Sequence, residues 1–124
     1  MMYSEEALTH RKPVWTALSE LYLDTELQDY SYRHIAKQFQ ASPYSLTQIK
    51  EINRSEVFPV LCLNLISVAG VWTGFDEDWL IKTIVHKRKR NNPFKRLAYV
   101  FCYFCMKGTF KEYWERIETE LQRL

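Results

Sequence analysis

The chain has 124 residues, 47% hydrophobic and 26% charged, values that exclude wholesale disorder and a fibrous repeat and suit one domain over 1–124. Three glycines and four prolines are too few to supply the tight turns of a sandwich or barrel, so a helical protein is favoured. The net charge of +2 hides an asymmetry: residues 1–80 carry 6 basic and 11 acidic side chains, residues 81–124 carry 11 basic and 4 acidic.

Pro13 suits a first helical turn, and Val14, Leu18, Leu21 and Tyr22 then recur at helical spacing, which predicts a first helix over 12–24. Ser31 is read as the cap of a second helix carrying Ile35, Ala36 and Phe39, which ends near Ala41 because Pro43 disfavours helical backbone at Ser42. Ser45 and Gln48 have capping-box spacing and open a third helix through Leu46, Ile49 and Ile52. Pro59 then marks the start of a fourth, running through Leu61, Leu65 and Val68 to Gly70.

Asp76 is a cap for a fifth helix, with Glu77 and Asp78 in the first turn, where the helix dipole favours carboxylates, and Lys87 to Arg90 at the far end. Pro93 starts a sixth through Leu97, Val100, Phe101 and Phe104, and Gly108 ends it. Thr109 and Glu112 repeat the capping-box spacing. The last helix places Phe110, Tyr113, Trp114, Ile117 and Leu121 on one face. The expectation is an all-α fold, a single compact bundle of about six to seven short helices. The aromatics of 97–106 also suit a buried strand. The two most apolar stretches, 57–72 and 97–106, are shorter than a bilayer span and read as buried core helices, so no membrane association is expected.

Catalytic signatures do not emerge. Cys102-x-x-Cys105 lacks a second ligand pair for zinc, and with Cys62 it reads as buried, inert thiol. His10, His34 and His86 fall on three separate elements and read as surface or helix-end residues. The glycines are too sparse for a phosphate loop, and Asp76, Glu77 and Asp78 lack the spacing of a calcium loop. The chain is therefore expected to be no enzyme and to carry no cofactor or metal. Met1 to Glu6 has no basic region followed by an apolar stretch, and three unpaired cysteines suit a reducing compartment, so a cytoplasmic location is expected.

Three binding features remain. Residues 32–52 carry much of the apolar spacing of a helix-turn-helix, though Gln40 stands where a small turn residue is usual and Lys50 is the only base on the would-be recognition helix. The run Lys87, Arg88, Lys89 and Arg90 is a basic patch that also reads as a solvated helix end. The third is an acidic set with aromatic neighbours. Trp15, Trp79 and Trp114 read as core, whereas Trp72 lies in a loop and reads as an interface anchor.

Two stretches, Arg11-x-Pro13-Val14-Trp15-x-Ala17-Leu18-Ser19-Glu20-Leu21-Tyr22-Leu23-Asp24-Thr25-Glu26-Leu27 and Glu56-Val57-x-Pro59-Val60 followed by Ala69-Gly70-Val71-Trp72-Thr73-Gly74-Phe75-Asp76, resemble a family of short, uncharacterised bacterial proteins. Such small proteins are similar to immunity proteins of contact-dependent growth inhibition systems. That likeness implies a toxin inhibitor that works by protein–protein interaction, as a monomer in a 1:1 complex with its cognate toxin. Nuclease toxins have basic clefts, so the expected contact residues are Asp24, Glu26, Asp29, Asp76, Glu77 and Asp78, with Tyr30, Tyr32 and Trp72 as anchors. The basic patch of Lys87, Arg88, Lys89 and Arg90 is the alternative interface. A small helix-turn-helix regulator that binds nucleic acid is the second reading.

Overall fold

Ser4 opens the first helix, α1 (Glu5–Ser19): its hydroxyl accepts the Ala7 backbone N–H at 3.1 Å, and Glu5 and Glu6 fill the first turn. The computed structural model to which this helix belongs describes residues 3–23, 27–66, 76–89 and 93–124. The helix therefore starts two turns before the expected position, and Pro13 lies inside it. A proline there removes one intrahelical donor. Burial offsets that loss, because Val14, Trp15, Ala17 and Leu18 are all in the core. A 3₁₀ turn (Glu20–Tyr22) closes α1 and buries Leu21 and Tyr22.

The next helix, α2 (Asp29–Ala41), starts after Gln28, which makes no side-chain cap, so Ser31 is inside the helix instead of capping it. Its end is as the proline predicts: Ser42 is extended, at φ −83° and ψ 159°. Both halves of the expected capping box form at α3 (Leu46–Ile52), where Gln48 N–H donates to the Ser45 hydroxyl at 3.2 Å and Ser45 N–H donates to Gln48 Oε1 at 2.8 Å.

No break separates α3 from α4 (Phe58–Ile66); a π-helical segment (Asn53–Val57) joins them, and Pro59 sits second in α4 rather than at a fresh start. The wider spacing, with Phe58 N–H reaching back to the Asn53 carbonyl, accommodates a proline that has no donor for an ordinary turn. It also turns two polar side chains, Asn53 and Glu56, into the interior.

Asp76 caps α5 (Glu77–Lys89) as expected, its carboxylate accepting Trp79 N–H at 2.8 Å. Helix α6 (Pro93–Cys105) begins at the predicted proline and is helical throughout, so the strand alternative for 97–106 is not taken. Met106 alone (φ −97°, ψ 7°) separates it from α7 (Lys107–Arg123). Gly108 and Thr109 therefore lie within the first turns of α7, and the second capping box does not form. Met106 already closes the turn, its N–H shared between the Cys102 and Tyr103 carbonyls at 3.1 Å each.

The arrangement is compact and all-α. Among the described residues α2 and α7 form the most extensive helix pair, with Phe39 against Trp114 and Tyr32 against Tyr113. At the centre Phe110 stacks on Tyr103, with ring centroids 5.2 Å apart, and meets Phe58 edge-on at 5.8 Å; Tyr22 closes the group. α7 buries Phe110, Trp114 and Ile117 on the face its spacing predicts. No helix of the described residues is long and apolar enough to cross a membrane.

Candidate interaction surface

One cluster of interior polar groups is used by the architecture itself. Glu56 is buried; its Oε1 accepts from Trp15 Nε1 at 2.9 Å and from Arg11 Nε at 3.1 Å. Arg11 also donates to the Tyr44 hydroxyl at 3.0 Å, and its guanidinium lies over the rings of Tyr3 and Tyr44. Each side chain here satisfies another, so the cluster reads as a clamp on α1 and not as a site with open valence. Tyr22 donates its hydroxyl proton to Asn53 Oδ1 deeper in the core, and desolvation holds its phenol well above its ordinary range. His10, His34 and His86 are exposed on α1, α2 and α5. Among the described residues no three His, Cys, Asp or Glu side chains are grouped to hold a metal ion.

The expected acidic contact set is only partly brought to the surface as a usable patch. Asp24, Glu26 and Trp72 lie outside the described residues. Asp29 is exposed but accepts a hydrogen bond from Arg116 of α7. Tyr30 is free to contact a partner, being 71% exposed. Tyr32, two residues on, is a correction: it is 4% exposed, packed against Tyr113 and covered by the Arg116 guanidinium 4.4 Å from its ring centroid. A helix that shows Tyr30 to water turns Tyr32 some 200° away, which is where α7 lies. Asp76, Glu77 and Asp78 are exposed at the start of α5, joined there by Trp79, which is 47% exposed and not the core residue expected. Among the described residues no hydrogen bond or ion pair links Asp29 to this acidic turn.

The basic patch falls at the end of α5, where Lys87, Arg88 and Lys89 occupy the last turn; Arg90 lies outside the described residues. The expected burial of 97–106 is the larger correction. Leu97 (70%), Val100 (49%), Phe101 (68%) and Phe104 (71%) are exposed, at positions i, i+3, i+4 and i+7 of α6. The helix instead packs Cys102 and Tyr103 against the core, joined by Met106 just past its end. Cys105 is exposed and Cys102 half-buried, so only Cys62 is the buried thiol expected. Helical spacing was the signal for this stripe, but α6 is apolar nearly all round, and periodicity alone does not say which side turns inward.

The helix-turn-helix expected over 32–52 falls on α2 and α3. α2 and α3 are joined by a short turn, yet α3 has seven residues, its Lys50 pairs with Glu118 at 3.5 Å, and Tyr44 is held by Arg11.

Compared with known families, residues 9–120 match the model described as a domain of unknown function, DUF7079. No curated protein and no solved structure matches the chain.

Proposed function

The chain belongs to the DUF7079 family, whose description assigns no activity, and from its geometry we propose that it works by binding another protein: a cognate bacterial toxin, which it neutralises in the cytoplasm without a reaction of its own. The observation that carries this reading is the exposed stripe of Leu97, Val100, Phe101 and Phe104 on α6. Fully burying a side chain of this type is worth about 1.5–3 kcal/mol, so a surface that leaves four of them wet has binding energy in reserve. Helices pinned by the Arg11–Glu56 clamp and the central aromatic group supply a preorganised scaffold for it.

The toxin as partner comes from an analogy with immunity proteins in size, expected compartment and lack of catalytic motifs. Against that background the positive third of the chain, with the α6 stripe, is the better interface, since Asp29 is engaged by Arg116 and Tyr32 is core. Nucleic-acid binding through α3 draws less support, because Lys50 and Tyr44 are already held within the chain.

Co-expression with the polypeptide encoded by the adjacent reading frame tests the proposal. Restored growth of a host that this polypeptide otherwise kills, together with a 1:1 complex on purification, supports it. A chain that leaves killing unchanged and instead retains duplex DNA with a steep salt dependence overturns it.

A further inference from the structure

Resting on the toxin-binding reading, we propose that α6 docks stripe-first into an apolar groove of the partner protein, and that carboxylates rim this groove. Anchors at i, i+3, i+4 and i+7 along one helix face are the pattern by which a helix fills a groove. Leu97, Val100, Phe101 and Phe104 have that spacing and are all exposed. The face behind them is fixed, since Cys102, Tyr103 and Met106 are packed on the core.

The charge around the stripe specifies the rim. Lys107 and Lys111 are exposed on the first turns of α7, immediately after it in sequence. Residues 81–124 hold 11 bases against 4 acids, so the partner surface that complements them is acidic.

A second copy of the chain is a poorer occupant, because a symmetric contact through α6 brings these cations together. The four side chains also offer roughly 500 Å² against the 800 Å² or so per partner of a standard interface, which a groove with its own walls makes up and a facing stripe does not. A lipid surface is poorer as well: the stripe covers two turns only, and the exposed Glu112 and Glu115 follow it on α7.

The test titrates the 124-residue chain with the polypeptide of the adjacent reading frame, by calorimetry at low and high salt, and compares the Phe101→Ser/Phe104→Ser variant. Leu97→Gln is the milder second variant, read if the double one loses helicity. The groove model expects dissociation constants raised about 100-fold for the double variant and about tenfold for Leu97→Gln. Lys107→Glu/Lys111→Glu weakens binding about tenfold with a flatter salt dependence, while Asp78→Lys leaves it unchanged. Wild-type binding that survives all the α6 changes overturns the docking proposal and leaves the toxin-binding reading standing. No wild-type binding at all overturns both. Self-association in sedimentation, or cosedimentation with phosphatidylcholine vesicles containing phosphatidylserine, overturns the proposal if the double variant abolishes it, and names the second copy or the lipid surface as the occupant.

Discussion

Arg11 and Glu56, 45 residues apart in sequence, meet at 3.1 Å and tie the middle of α1 to the π-helical segment before α4. Trp15, one turn after Arg11, donates to the same carboxylate oxygen. The two sequence stretches that carry the family resemblance are therefore in contact through three of their own side chains. Removing the cation leaves a buried carboxylate with a single donor. Arg11→Met is expected to lower stability by about 3 kcal/mol in urea unfolding, and adding Glu56→Gln, which removes the charge but keeps an acceptor for Trp15 Nε1, should recover much of it. A loss below about 0.5 kcal/mol for the single variant would show that the clamp contributes little.

The features legible in the sequence were those decided within a few residues. Ser45 with Gln48, Asp76 and Pro43 set helix boundaries through their own backbone chemistry, and all three do so in the structure. Pro13 and Gly108 misled because each acts within a fold that had already settled the local question: burial of Trp15 and Leu18 carries α1 through the proline, and Met106 ends α6 before the glycine. Tyr32 was legible as an aromatic near acids but not as core, since its neighbour Tyr113 is distant in sequence. The same limit hid the α6 stripe. A helix with apolar residues on every side does not declare its outer face; packing of Tyr103 onto Phe58 and Phe110 decides it.

The two sets of phenylalanines should respond oppositely to truncation. Phe110 is fully buried at the aromatic centre, and Phe110→Ala is expected to cost about 3–5 kcal/mol. Phe101→Ser and Phe104→Ser should each stay within about 0.5 kcal/mol of the parent in the same denaturation experiment. Comparable losses at Phe104 and Phe110 would place the α6 stripe in the core and remove it from consideration as a docking face.

Glu20 offers a pH-dependent check. It sits in the 3₁₀ turn with Oε2 buried and no hydrogen-bond partner for that atom among the described residues. Desolvation raises its carboxyl above the ordinary 4.5, with His34 acting the other way. A carboxyl raised in the folded state favours folding only while protonated, so its contribution is fully present below 4.5 and is lost as pH rises through the folded value. Glu20→Gln should therefore raise the melting temperature at neutral pH, with the gain shrinking at acid pH. A variant that melts lower than the parent at neutral pH would contradict this.

Thiol reactivity should follow the order of exposure. Cys105 is exposed, Cys102 half-buried and Cys62 buried, so maleimide labelling read by peptide mass should modify Cys105 first and Cys62 only on unfolding. Since Cys105 follows Phe104 on α6, complex formation should slow its labelling. Undiminished labelling of Cys105 in a saturated complex would place the partner elsewhere on the chain.

The most direct measurement of the toxin-binding account is a titration of toxin activity, with the purified adjacent-frame polypeptide held constant and this chain added in increments. Tight 1:1 inhibition predicts a linear fall to zero at one equivalent. Activity that persists in the presence of excess folded chain would contradict it.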